Sequence, residues 1–321
     1  MGDRMEMKSE TTASWGHHCG RGFRVARRAI GLVATVTLAV SACSAGVEDS
    51  GGTASPTSTP STDSTTSSTS GPAPVYEERP EWAEVFEQHG VSGTIAIREV
   101  GSETTLVFDR ARAEVRRIPA STFKILNSMI ILETAVLTDT ETLVPWDGVE
   151  REVPAWNGDH TLRSAIEVSA VWVYQAMARE VGEERMADLV ASAGFGNGDT
   201  GGGIDQFWLT GDLRISPTEQ LRFLEAMVTG DLPFSDEVVS SVRDILVRET
   251  GDGWAWSHKT GLALAEEPTL GWLVGTVENG DRTWVFALNV DLGPDDSGQT
   301  PSPAVREDIA RAVLTQAGAL P

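Results

Sequence analysis

Gly271-Trp-Leu-Val-Gly-Thr-Val277 and Thr283-Trp-Val-Phe-Ala-Leu-Asn-Val290, joined through Glu278-Asn-Gly-Asp281, are the stretch that decides how this chain folds. Both flanks are rich in β-branched and aromatic residues. Asn-Gly between them supplies the left-handed backbone that a tight hairpin turn requires, so the stretch reads as two antiparallel strands. Beyond it, Ser302-Pro303 starts a helix carrying Val305, Ile309, Ala312 and Val313 on one side. Before it, the chain from Thr122 to about Met227 is mostly helical in pattern. Further upstream, Thr94-Ile-Ala-Ile97 and Leu106-Val-Phe108, separated by polar residues and Gly101, form a second hairpin. Pro80 opens a helix with Trp82, Val85 and Phe86 on one face and Gly90 past its end. Strands contributed by both chain ends, with helices between them, predict an α+β fold. It is an antiparallel sheet flanked by N- and C-terminal helices, with a helical insertion domain.

The first residues are of a different kind. Arg21, Arg24, Arg27 and Arg28 precede the uncharged run Ala29–Ala42, which has the form of a signal peptide over residues 1–42 and is short for a membrane span. Arg27-Arg28 also permits a twin-arginine signal. Val40-Ser41-Ala42-Cys43 resembles the bacterial lipobox, implying lipidation of Cys43 and attachment to a membrane through it. Residues 43–75 are dominated by Ser, Thr, Gly and Pro and read as a flexible tether, which leaves residues 76–321 as the folded domain. The expected location is therefore extracytoplasmic: an exported lipoprotein anchored to the bacterial cell membrane. Cys19 lies before the cleavage point, so the exported body has neither a disulfide framework nor a cysteine zinc site. A net charge of −22, which loss of the basic leader makes more acidic still, argues against nucleic acid as a partner.

Lysine usage narrows the function. Apart from Lys8 in the leader, the chain has only Lys124 and Lys259, and its other basic residues are arginines. A buried lysine can lose its proton and act as a base, whereas arginine cannot, so these two positions mark sites that need an amine. Ser121-Thr122-Phe123-Lys124 begins a helical run, and residues three apart share a helix face, so the Lys124 amine can reach the Ser121 hydroxyl. The positive end of the helix and apolar Phe123 and Ile125 both disfavour a cation there. A serine with an adjacent base is a nucleophile. Ser169-Ala170-Val171 and Lys259-Thr260-Gly261 follow in order, the latter directly before the two strands.

This ordered triple resembles the serine β-lactamases and penicillin-binding proteins. Within that superfamily the chain looks like class D, the oxacillinase type. The match runs in order through Pro119-Ala-Ser-Thr-Phe-Lys124, Trp156-Asn157-Gly-Asp159-His160-Thr-Leu162, Ser169-Ala-Val171, Phe195-Gly-Asn197, Ile204-Asp-Gln-Phe-Trp-Leu209, Lys259-Thr-Gly261 and Gly271-Trp-Leu-Val-Gly275. The class A second motif ends in asparagine and is followed by a glutamate base. Here Val171 ends it and no E-x-x-x-N follows. The class C tyrosine motif is also missing, because Tyr76 and Tyr174 both lack the following x-Asn.

The resemblance implies an enzyme that hydrolyses β-lactams through an acyl-enzyme on Ser121. Its general base would be Lys124 carboxylated by carbon dioxide or bicarbonate, with no metal and no other cofactor. It further implies that Trp208 donates its indole N–H to the carbamate and that Val171 and Leu209 cover it. Ser169 would relay a proton to the lactam nitrogen, and the N–H groups of Ser121 and Leu262 would form the oxyanion hole. Lys259, as a cation, would hold the substrate carboxylate together with Thr260, Gly261 and Arg306. Two related readings share these motifs: a β-lactam sensor domain that acylates without turnover, and a D,D-peptidase, against which Val171 speaks. Phe195 stands where tyrosine is common, and His258 is a less usual neighbour of Lys259.

Three other signals are outweighed. Gly196-Asn-Gly198-Asp-Thr-Gly201 fits G-x-G-x-x-G but follows a helical stretch and carries Asp199 where a phosphate would sit, so it reads as an irregular loop. His89, His160 and His258 lack ligand spacing, and His160 reads as a buried structural histidine. Trp146, Trp156, Trp172, Trp254 and Trp256 read as core or cleft wall.

Overall fold

A computed structural model describes residues 75–294 and 298–321. The expected signal peptide, Cys43 and the tether up to residue 74 lie outside the described residues; Val75, the last tether residue, opens the first strand. In chain order the elements are β1 (Val75–Glu78), a 3₁₀ turn at Pro80–Trp82 leading into α1 (Ala83–Gln88), β2 (Gly93–Glu99), β3 (Thr104–Phe108) and a short α2 (Arg110–Ala113). The helical insertion follows as α3 (Lys124–Glu133), α4 (Leu162–Glu167), α5 (Val171–Val181), α6 (Glu183–Ser192), α7 (Pro217–Thr229) and α8 (Asp236–Leu246). The chain returns to the sheet through β4 (Val247–Gly251), β5 (Trp254–Ala263), β6 (Leu270–Asn279) and β7 (Arg282–Asp291), and closes with α9 (Val305–Gln316).

The seven strands lie in the order β1-β3-β2-β7-β6-β5-β4. All pairings are antiparallel except that of β1 with β3, so the expected antiparallel sheet carries one parallel edge. A tight turn forms here one residue later than read: Asn279 belongs to β6 and pairs with Arg282, leaving Gly280 and Asp281 as the loop, with Gly280 alone left-handed at φ 62°. Pairing of β2 with β7 joins the first hairpin to the last, and so makes one sheet from the two chain ends.

Period-two alternation divides the sheet's side chains between two cores. Ile95, Ile97, Leu273, Phe286 and Leu288 face the terminal helices, packing with Trp82 and Phe86 at one end of the chain and Ile309 and Val313 at the other. Ala96, Trp272, Val274, Val285 and Ala287 face the insertion, where they join Phe123, Ile125 and Met129. On α9 the buried stripe is Arg306, Ile309, Ala310, Val313 and Leu314, while the expected Val305 and Ala312 are only partly covered. The helix is thus rolled slightly from the apolar face read in sequence, which brings Arg306 inward.

Two further differences concern the motifs. Lys259-Thr260-Gly261 lies inside β5 rather than ahead of the strands, because the polar residues of the motif sit on a strand whose register with β6 is continuous from Trp254 to Ala263. α3 ends at Glu133, short of the apolar run's end at Leu137; Thr134 turns its hydroxyl back onto the Ile130 carbonyl at 2.7 Å and Ala135 takes a left-handed conformation. Edge strands β1 and β4 are mostly exposed and polar, so they carry no alternation to read.

Close packing of β5 on β6 depends on Gly275. A Cβ there would lie 2.0 Å from the Ser257 carbonyl oxygen and 2.7 Å from the His258 Cα, beside Lys259. Gly275→Ala should therefore cost at least about 1–3 kcal/mol in denaturant unfolding, the range for an overpacked site, and should move the strand that carries Lys259.

Candidate active site

Ser121 stands in a 3₁₀ turn, Ala120–Phe123, that runs directly into α3, of which Lys124 is the first residue. The turn is entered through Ala120 at φ 49°, a left-handed conformation that costs a non-glycine residue about 1–2 kcal/mol and persists only where surrounding packing fixes it. Thr122 anchors the turn: its hydroxyl donates to the Pro119 carbonyl at 2.8 Å and accepts from Gln220 of α7 at 2.9 Å.

Lys124 Nζ donates to Ser121 Oγ at 2.7 Å. The lysine is fully buried, and burial alone lowers its amine to about 7. The ring of Tyr174 lies beneath Nζ, 5.3 Å away, held by a hydroxyl contact of 2.9 Å with Ser128, which in turn donates to the Lys124 carbonyl. Burial raises the Tyr174 phenol, so it stays neutral.

Ser169 sits between α4 and α5, also left-handed at φ 57°. Its hydroxyl accepts from Lys259 Nζ at 3.1 Å, and that amine donates as well to Thr260 O and Thr260 Oγ1. Lys259 was expected to hold its proton. In the folded chain, burial first, and then the charges of Lys124, Arg248 and Arg306, push its amine well below the usual lysine value. No carboxylate among the described residues pairs with it, so an anion entering from the cleft would raise it again.

Arg306 reaches the same place from α9. It is buried and donates to the carbonyls of Pro303, Gly261 and Trp272, with burial lowering its guanidinium to about 10. Trp208 is fully buried against Phe123, ring centroids 5.3 Å apart, and its indole nitrogen has no hydrogen-bond partner among the described residues. An unpaired buried N–H costs about 1–3 kcal/mol.

A cleft of about 480 Å³ brings together Ser121, Ser169, Val171, Leu209, Thr260, Gly261, Leu262 and Arg306. Lys124, Trp208 and Lys259 are buried behind or beside its walls. Ser121, Ser169, Val171, Leu209, Thr260, Gly261, Leu262 and Arg306, read from the sequence as site residues, thus line one cleft, and Lys124 reaches it through its bond to Ser121. Sequence reading missed Val153, Gln206, Thr210, Leu264 and Ala265, which complete the walls, as well as Tyr174 beneath the amine. The signal was present for one: Leu264 follows the Lys259 motif at an exposed position, 75 % accessible, where a polar residue would be ordinary.

Phe195 is fully buried against Phe123 and Phe223, so its missing hydroxyl is a matter of packing. His258 is buried against Trp256 and held neutral, its imidazole lowered to about 3 by burial and neighbouring cations. His160 is buried with Nδ1 3.0 Å from Ser164 Oγ. Among the described residues no cluster of His, Cys, Asp and Glu could hold a metal ion. Gly196–Gly201 follows α6 and is irregular, with no strand before it.

The family described as penicillin binding protein transpeptidase domain matches residues 75–315. Among curated relatives, the probable beta-lactamase YbxI of Bacillus subtilis is 43% identical over 62% of this chain and 74% of its own length, and beta-lactamase OXA-48 of Klebsiella pneumoniae is 35% identical over 77% and 91%. The crystal structure of the class D beta-lactamase YbXI from Nostoc is 36% identical and superposes with a TM-score of 0.71, covering 75% of this chain and all of that one. The chain belongs to this family and, within it, to the class D serine β-lactamases.

The Lys124 amine makes stability depend on pH with a definite sign. Its folded value lies below its unfolded one, so the unfolded chain binds more protons from about pH 7 upward and stability rises across that window. Below pH 7 the whole cost of burying the charge is felt. Lys124→Met should therefore be more stable than the unmodified protein by on the order of 2–4 kcal/mol at pH 6, a margin that shrinks as pH rises toward 10 in parallel urea titrations.

Proposed function

We propose that the chain hydrolyses β-lactams through an acyl-enzyme on Ser121, with carboxylated Lys124 as general base. The observation that carries this is a fully buried amine, lowered to about 7, within 2.7 Å of the Ser121 hydroxyl. A neutral amine can add carbon dioxide with loss of a proton, giving a carbamate that accepts protons on oxygen. Two features support that group: the uncharged tendency of Lys124, and the buried Trp208 N–H, whose ring stacks on Phe123, the residue before the lysine.

In this reading Ser121 Oγ attacks the lactam carbonyl carbon while its proton passes to the modified Lys124. The backbone N–H groups of Ser121 and Leu262 hold the developing oxyanion, each worth about 3 kcal/mol. The lactam C–N bond breaks, and Ser169 delivers a proton to the departing nitrogen, replenished from Lys259 through their 3.1 Å contact. Thr260, Lys259 and Arg306 hold the substrate carboxylate, whose arrival raises the depressed Lys259 amine and secures its proton. Val171 and Leu209 exclude bulk water from the base. The proton that Lys124 took from Ser121 passes on to restore Lys259, and the freed base deprotonates a single water that attacks the ester carbonyl; that proton then goes to Ser121 Oγ as the C–O bond breaks. Export and anchoring through a lipidated Cys43 belong to the same proposal, supported by the leader and the lipobox-like Val40–Cys43.

The test is turnover of a chromogenic cephalosporin with and without added bicarbonate. Sustained turnover that bicarbonate enhances is expected, whereas a stoichiometric burst followed by silence would indicate the sensor reading. Lys124→Ala should be inert. Trp208→Ala should acylate but deacylate roughly 10²-fold more slowly, the scale of a general-base contribution, in single-turnover kinetics.

A further inference from the structure

We infer that Glu266, outside every motif discussed above, is a positioning residue that sets the spacing between the two halves of the oxyanion hole. The inference rests on the proposed roles of the Ser121 and Leu262 N–H groups. These donors belong to different parts of the chain, one in the turn that opens α3 and the other near the end of β5. Something must hold the two segments in register, since displacement of a catalytic group by about 1 Å can cost on the order of 10²-fold in rate.

The segment leading to Ser121 is gripped at Ile118 by the β5–β6 hairpin. In the loop between those strands Leu264, Ala265, Glu267 and Pro268 are exposed, but the Glu266 side chain is turned inward and is only 15% accessible. Its Oε1 accepts from the Ile118 backbone N–H at 3.0 Å, and its Oε2 accepts from Arg117 at 3.2 Å. On the other side of the same residue, the Ile118 carbonyl accepts from the indole of Trp272 in β6 at 2.9 Å. One hairpin therefore satisfies both backbone polar groups of a buried residue three positions before the nucleophile.

The strained residue lies between that grip and Ser121. Ala120, at φ 49°, needs its neighbours fixed to stay left-handed. Gly261 makes the contact close: a Cβ there would sit 3.1 Å from both the Pro119 carbonyl and the Thr122 methyl. Van der Waals contact sets how near the segments can come. Glu266 and Trp272 supply the attraction that keeps them there, and Glu266 is the hydrogen-bonded link from the stretch just beyond Leu262. Arg117 is 39% accessible at its side chain and is held independently by two backbone bonds to Ile215, so the ion pair is secondary to the bond to Ile118.

The test compares Glu266→Ala, Glu266→Gln and Arg117→Ala with the unmodified enzyme on one β-lactam. Both acylation and deacylation pass through an oxyanion, so Glu266→Ala should slow both by roughly tenfold or more with KM nearly unchanged. That pattern differs from loss of the Trp208 indole, which slows deacylation alone. The ester carbonyl of the trapped acyl-enzyme should also absorb at higher infrared frequency in Glu266→Ala, reporting weaker hydrogen bonds to its oxygen. Glu266→Gln, whose amide oxygen still accepts from Ile118, and Arg117→Ala should each stay within about threefold of the unmodified rate, as for loss of a partly exposed ion pair. If the alanine variant does not fold, Glu266→Asp, which withdraws the carboxylate by one methylene, should show both slowed steps and the infrared shift in milder form. Unchanged rates and carbonyl frequency in Glu266→Ala, or an effect on KM alone, overturn the clamp while leaving the β-lactamase reading intact. Absence of turnover in the unmodified enzyme overturns that reading and the clamp with it.

Discussion

A fully buried lysine amine is the constraint on which the rest of this structure depends. Charge in such a place is costly, so the amine leans neutral, and a neutral amine beside a serine hydroxyl can do chemistry that an ammonium cannot. Enclosure requires walls. The Tyr174 ring of α5 provides one, 5.3 Å from the amine. Beside the lysine in the chain, Phe123 packs against Phe195, Phe207 and Trp208, a cluster drawn from separate parts of the helical insertion.

Sheet topology explains how the other amine comes to stand opposite. Pairing of β2 with β7 closes the two chain ends into one sheet, and β5 then runs past the start of α3 with Gly261 allowing close approach. Lys259 and Ser169 thereby meet although 90 residues separate them in sequence. Burial together with the charges of Lys124, Arg248 and Arg306 pushes the Lys259 amine down, so holding a proton there is costly. An anionic substrate relieves that cost, so binding and the protonation of Lys259 are coupled.

Much of the site was legible because its chemistry is local. Ser121 and Lys124 are three residues apart, and helical geometry alone brings them together. The central hairpin was legible for a similar reason, since Asn-Gly and two apolar flanks define a strand pair without outside help. Less legible were β1 and β4, whose residues are polar because they lie on sheet edges, and the roll of α9 that buries Arg306. Glu266 carried no signal, because an inward-turned glutamate among exposed neighbours looks like any loop residue until its partner is known.

The sequence by itself determined which residue types could react, since lysine was retained at two positions and each lies in a short motif with a fixed internal geometry. It also determined, through periodicity and turn chemistry, a hairpin near each end of the folded chain and the mostly helical stretch between them. Only the tertiary structure decided the protonation of those lysines, because desolvation and the approach of other cations depend on segments far apart in the chain. It alone decided that the Trp208 indole would be left without a partner among the described residues and that Ile118 would be held from both sides. Local geometry can be read from neighbours in sequence, but burial and alignment exist only once the sheet has closed.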